Sequence, residues 1–198
     1  MKPDIKSDPY QNLYFVTLFT GMRQGEIIGL TWDCIDFDKG VIHVEKQLRK
    51  DHRSGESEYE FSSLKNGKTR TITPAPIVFD VLREEKRKQA QWKLRAGEAF
   101  QNKWNLVFTN ELGQHLASVT VYNHLKRILD SIGLGHIRFH DLRHSFATLS
   151  LQNGDDIKTV SENLGHATVA FTLDVYGHVT EKMKKDSADR MQAFIESL

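Results

Sequence analysis

The strongest constraint on the fold is where β-type patterning occurs. It is confined to residues 41–73 of the 198-residue chain, and most of the rest is written at helical period. VIHV at 41–44 is short, mostly β-branched, and follows a Lys39-Gly40 turn. Residues 59–64 and 70–73 read as two further strands. Asn66-Gly67 lies between them, the dipeptide that most strongly favours a tight hairpin. The polar stretch 50–58 reads as a loop.

Helices are expected at 8–20, 23–30, 77–95, 118–132, 138–152, from Asp155 or Asp156 to 164, at 168–175 and at 181–198. Asp8-Pro9 opens the first of these, and Leu13, Val16, Thr17 and Thr20 share one of its faces. Ser118 is the expected N-cap of the fourth helix, while Asn153-Gly154 and Leu164-Gly165 are helix ends. Residues 105–108 form a short extended piece and 110–114 a turn. The fold class is therefore mainly α with a small three-stranded antiparallel β-sheet. No internal repeat or linker divides the chain, so residues 1–198 read as a single domain.

Composition narrows the function classes. Hydrophobic residues are 39% and charged residues 27%, ordinary for a globular chain that buries roughly two-thirds of its unfolded surface. The single cysteine, Cys34, permits no intrachain disulfide, which argues for a reducing compartment. The apolar run at 13–19 is too short to cross a bilayer, and the N-terminus lacks the apolar stretch of a signal peptide. A net charge of +1 excludes a histone-like binder but not a local basic patch. One such patch lies on the 77–95 helix: residues 83–103 carry seven Lys or Arg, including Arg83, Lys86 and Arg87, against three Glu. That arrangement suits a DNA-backbone track.

Four islands hold the chemistry: TGMRQGE with Arg23 and Glu26, SLKNGKTR with Lys65, HDLRHSFAT with His140 and Arg143, and LGHATVAFTLDVYGH with His166 and Tyr176. His140 and Arg143 are three apart and share a helix face. Guanidinium beside imidazole repels a cation but matches a phosphate. His140 and His144 are four apart, yet the zinc pattern H-E-x-x-H needs a glutamate where Asp141 stands, so no metal is expected. Gly165 can end one helix and leave His166 at a seam. Tyr176, just before Gly177, can there be mobile rather than packed. His136, His144 and His178 are assigned no role.

In this order, Arg, Lys, H-x-x-R, His and Tyr resemble the catalytic signature of the tyrosine recombinases, the phage and conjugative-transposon integrase family. TGMRQGEIIGLTWDCIDF is similar to that family's first-arginine motif, HDLRHSFAT to its His–Arg motif, and LGHATVAFTLDVYGHV to its final histidine and nucleophile segment. The resemblance runs from about Asp8 to the C-terminus. It implies the family's catalytic-domain fold, with the N-terminal core-binding and arm-binding domains absent from this chain.

The resemblance also implies a reaction: site-specific DNA cleavage and rejoining through a covalent 3′-phosphotyrosyl intermediate, integrating or excising a mobile element. Tyr176 is the implied nucleophile. Arg23, Arg143 and His166 stabilise the phosphate, Lys65 (or Lys68) protonates the leaving 5′-oxygen, and His140 acts as general base. Glu26 and Asp141 orient the arginine and histidine faces. No cofactor is implied. The implied partners are double-stranded DNA attachment sites, other protomers in a tetramer on DNA, and an excisionase; no membrane is involved. A bacterial cytoplasmic, nucleoid-associated setting goes with them. The C-terminal stripe Met191, Phe194, Ile195 and Leu198 either packs in cis or docks on a neighbouring protomer. The alternatives are type IB-like topoisomerase activity, a DNA-binding module without catalysis, and a metal-dependent phosphodiesterase.

Overall fold

The architecture comes from a computed structural model that describes residues 8–51, 58–65 and 67–197, with residues 177–186 described at the backbone only. Asn66 of the expected hairpin, residues 52–57 of the expected loop and Leu198 of the stripe lie outside the described residues.

The first helix, α1 (Gln11–Thr20), starts where the Asp8 carboxylate accepts a hydrogen bond from the Tyr10 N–H at 2.8 Å. Leu13, Val16, Thr17 and Thr20, the expected face, are all buried. Gly21 ends α1 at φ +64°, and its N–H bonds back to the Thr17 carbonyl. A side chain at Gly21 would come within 2.6 Å of Phe146 and 2.8 Å of Leu164, so glycine is needed both for the turn and for the close approach. One turn later comes α2 (Gln24–Ile28), then a 3₁₀ turn at Trp32–Cys34 and the two-residue strand β1 (Ile35–Asp36). The Asp36 carboxylate accepts from the Asp38 and Lys39 N–H groups and shapes the turn into β2 (Val41–Val44).

The sheet departs from expectation. β3 (Lys46–Lys50) continues β2 after Glu45, and β4 (Tyr59–Ser63) pairs with β3, from Lys46↔Ser63 to Lys50↔Tyr59. β5 (Arg70–Ile72) pairs with β2 at Ile42↔Ile72 and Val44↔Arg70. The strands on either side of Asn66-Gly67 thus lie end to end along one partner instead of forming a hairpin with each other. Sheet order is β1-β2-β5, with β3-β4 separate. The reason is that KQLRK at 46–50, with Leu48 as its single buried residue, offers β4 a five-pair antiparallel ladder. That strand is too polar to be read from its pattern. Residues 64–65 and 67–69 therefore belong to an excursion out of an interrupted strand.

The remainder is helical: α3 (Pro76–Ala96), α4 (Ser118–Ser131), α5 (Phe139–Gln152), α6 (Ile157–Leu164) and α7 (Val169–Glu196). The N-cap of α4 is Ala117, not Ser118; Ser118 sits inside the helix and its N–H donates to the Tyr59 hydroxyl. The separate helices expected at 168–175 and 181–198 form one helix with a kink at Tyr176 (φ −115°, ψ 16°).

α1 packs between α3 and α5. Around it lies the main core, with Leu13, Ile27, Ile42, Leu82 and Val121 among its members. A second, smaller cluster joins α5, α6 and α7 through Ala147, Leu151, Val160, Leu164 and Tyr176.

Candidate active site

Glu26 is the anchor of the site. As the third residue of α2 it accepts from the Arg23 backbone N–H at 2.9 Å and from the Arg23 guanidinium at 2.9 Å, so its carboxylate caps the helix start. The other partner is Arg70, whose fork meets both carboxylate oxygens at 2.6 and 3.1 Å. Arg70 Nε donates in turn to the Asn163 carbonyl of α6 at 2.7 Å. Burial disfavours the Glu26 charge, but Arg70 and then Arg23 outweigh it and hold the carboxyl at about 2. Arg23, half-buried, is thereby presented at the site with its second nitrogen 3.5 Å from the Gly165 carbonyl.

Arg143 is only 3% exposed. Its direct partners are main-chain carbonyls: Gly21 at 2.7 Å and Leu164. Burial, then the neighbouring Arg23, pull its pKa down to about 9, so it is charged at neutral pH. Its described direct acceptors are neutral carbonyls that take two of five N–H donors, which leaves charge and donors for an anion.

Both arginines reach the C-terminus of α6, because α6 is closely placed. Asp156 caps its start by accepting from the Lys158 and Thr159 N–H groups, and Gly165 ends it in the left-handed region. His166 follows. Its Nδ1 lies 2.8 Å from the Thr172 hydroxyl, and its ring stands edge-on to Phe171. Burial first, then Arg143 and Arg23, push its pKa down to about 4. A neutral His166 bonded to Thr172 through Nδ1 has Nε2 as its other group.

Tyr176 is 4% exposed, packed rather than mobile. The kink in α7 falls at this residue. Its hydroxyl lies 2.7 Å from Nδ1 of His144. Burial raises the phenol pKa, and the Arg143 charge opposes the rise. The His140 ring stands edge-on to His144 at 4.9 Å, so the imidazole that meets the tyrosine is not the expected His140. Burial, then His144, lower the His140 pKa.

The structure thus brings together Arg23, Glu26, His140, Arg143, His166 and Tyr176, and adds Arg70 and His144. The signal for both additions was present: Arg70 closes SLKNGKTR, and His144 follows the arginine in HDLRHSFAT. Lys65 and Lys68 are exposed on the 64–69 excursion. Asp141 does not brace the histidine face as expected. Its carboxylate caps α5 and takes the Arg138 N–H and guanidinium, at 2.8 and 3.1 Å. The α3 cations, expected as DNA-backbone contacts, have neighbours of their own. Arg83 pairs with Asp80 and lies over Phe37, and Lys86 lies over Trp32 and Phe37. Arg87 is exposed on the same helix.

The chain is similar to known proteins. The profile of the phage integrase family matches residues 4–183. A tyrosine recombinase XerC-like protein of Caldanaerobacter subterraneus is 31% identical over 200 residues, 96% of this chain and 51% of that protein. The ICEBs1 integrase of Bacillus subtilis is 28% identical, over 92% of this chain and 48% of that one. The chain spans about half the length of the curated relatives it matches. Among solved structures, the Tn1549 transposon integrase in complex with transposon right end DNA has the same fold, with a TM-score of 0.76 at 22% identity over 95% of this chain and 61% of that one.

Proposed function

Because the chain belongs to the phage integrase family, we propose that it cleaves and rejoins DNA strands through a 3′-phosphotyrosyl intermediate, in the integration or excision of a mobile element. The observation that carries this reading is one seam. A buried tyrosine hydroxyl sits within the field of a buried, carbonyl-bonded arginine, beside a second arginine and a neutral histidine.

The chemistry follows from those groups. Attack of Tyr176 on a phosphodiester builds charge on the non-bridging oxygens. Arg23 and Arg143, fixed before DNA arrives, stabilise that charge, and His166 Nε2 adds a donor. Lys65, on the exposed excursion, protonates the leaving 5′-oxygen. The phosphotyrosyl bond keeps the energy of the phosphodiester, so a 5′-hydroxyl can reverse the attack. Residues 1–198 act as one catalytic unit, with double-stranded attachment-site DNA as substrate in a bacterial cytoplasm.

Assembly on DNA belongs to the same proposal. Met191, Phe194 and Ile195 are more than half exposed, which supports docking of the C-terminal helix on a neighbouring protomer rather than packing in cis. Head-to-tail docking of this kind closes into a ring where the rotation between protomers allows it.

The test is a covalent-adduct assay. The protein is mixed with supercoiled plasmid in EDTA, quenched with SDS and examined for a protein–DNA band, with Tyr176→Phe alongside. The proposal expects a band that vanishes in the variant. Nicking that appears only with magnesium and leaves no adduct contradicts it.

A further inference from the structure

We propose that His144 is the catalytic group that takes the proton of Tyr176 when the tyrosine attacks, and returns it when the strand is rejoined. This inference rests on the reading of Tyr176 as the nucleophile. It goes beyond it by assigning a residue that the recombinase signature does not contain.

The observation is direct. Among the described residues, the hydrogen-bond partner of the Tyr176 hydroxyl is His144 Nδ1, at 2.7 Å. A general base must lie within about 2.6–3.2 Å of the atom whose proton it removes, and His144 meets that condition before DNA binds. The two side chains are held there by independent elements. His144 sits mid-way along α5, one residue after the buried Arg143, and Tyr176 sits at the kink of α7 with its ring packed on Ala147, Leu151, Val160 and Leu164. Burial makes the phenol a poorer acid, so attack requires a base in contact with it.

The surroundings also suit a proton that leaves and comes back. With its Nε2–H tautomer, His144 accepts the tyrosine proton at Nδ1. Attack forms the bond from Tyr176 oxygen to phosphorus and breaks the bond from phosphorus to O5′. The tyrosine proton passes to His144, which becomes an imidazolium, while Lys65 gives a proton to O5′. Rejoining runs the same transfers backwards: the 5′-hydroxyl attacks, its proton goes to Lys65, and the departing phenolate recovers its proton from His144. The charged and titratable groups around His144 are His140, Asp141 and Arg143 on α5, His166 at the α6–α7 turn and Tyr176 on α7. Asp141 brings a negative charge and Arg143 a positive one to these surroundings. His144 also lines an open depression with Asp141, Ser145, Thr148 and Leu149, which gives its imidazole access to solvent. The His140 ring packs edge-on against His144 at 4.9 Å.

The experiment measures single-turnover adduct formation on supercoiled plasmid across pH for the full chain, for His144→Gln, His140→Gln and Tyr176→Phe, and for His144→Gly with and without added imidazole. Plasmid retention is followed for each. The expected result for His144→Gln is a rate loss on the order of 10²-fold or more, with retention within about twofold of the unmodified chain. The acid-side fall in rate disappears in this variant, and imidazole restores His144→Gly. His140→Gln keeps the acid-side fall. The inference is overturned if His144→Gln forms adduct within about threefold of the unmodified rate, or if the acid-side fall is lost in His140→Gln and kept in His144→Gln. Survival of the adduct in Tyr176→Phe is a different failure: it removes the nucleophile assignment beneath the inference. A protein-only measurement guards against a variant that misfolds. ¹⁵N-imidazole NMR of the unmodified chain should show His144 Nδ1 as an acceptor whose shift changes in Tyr176→Phe; an unchanged shift overturns the contact itself.

Discussion

Among single residues, Glu26 carries the heaviest load, because two arginines from separate elements depend on one buried carboxylate. Its pKa falls from 4.5 to about 2 on folding, a linkage worth about 3 kcal/mol at neutral pH. The sign is that of a depressed acid: the contribution is complete above 4.5 and is lost as pH falls towards 2. Glu26→Gln is therefore expected to lower stability by about 3 kcal/mol at pH 7 and to flatten the acid side of the stability curve, as denaturant melts across pH will read. A variant whose melts parallel the unmodified chain from pH 7 to pH 2 contradicts the assignment. Glu26 was legible from TGMRQGE, but Arg70 was not given a role. It lies 44 residues away from Glu26, and only the pairing of β5 with β2 brings it there. His144 stands in HDLRHSFAT, but its role is not legible there for a similar reason: it depends on which face of α5 the kinked α7 covers.

At the scale of elements, α6 is the positioning device. Its capped start and glycine end set two carbonyls, Leu164 and Gly165, against Arg143 and Arg23, and put His166 at the seam. Gly165 has φ +63°, and a Cβ there would lie 3.0 Å from Arg70 Cδ. Gly165→Ala is expected to cost about 1–2 kcal/mol in thermal stability through the backbone alone, and to lower the adduct rate further by pushing Arg70 off Glu26. Gly165→Ala with unmodified melting and rate shows that the α6 end does not hold the arginines. Helices of this kind were readable because caps and glycines punctuate them: Asp156, Gly165 and the α1 stripe fell where expected. The sheet was read less well. Asn66-Gly67 is a local signal, whereas pairing of β4 with β3 is decided by a ladder between segments whose side chains are mostly polar. The single helix through Tyr176 reads as two in the sequence for the opposite reason, since a kink looks like an end.

For the whole molecule, the division into a main core and a smaller α5–α7 cluster places the site at the junction between them. Arg143 stitches the two by bonding the Gly21 carbonyl on one side and the Leu164 carbonyl on the other. Beyond this junction, Met191, Phe194 and Ile195 present an apolar face. Phe194→Ser with Ile195→Ser is expected to leave the isolated chain folded and to reduce DNA-dependent association, measured by light scattering with and without plasmid fragments. A chain that stays strictly monomeric on DNA, before any substitution, contradicts docking between protomers.

If Tyr176 is the nucleophile it becomes covalently joined to DNA, and identification of the joined residue measures this directly. Adduct trapped in EDTA is digested with nuclease and trypsin, and the peptide spanning residues 159–182 is sequenced by tandem mass spectrometry. A nucleotide remnant on Tyr176 is the expected result. A remnant on any other residue, or DNA cleavage that leaves this peptide unmodified, contradicts it.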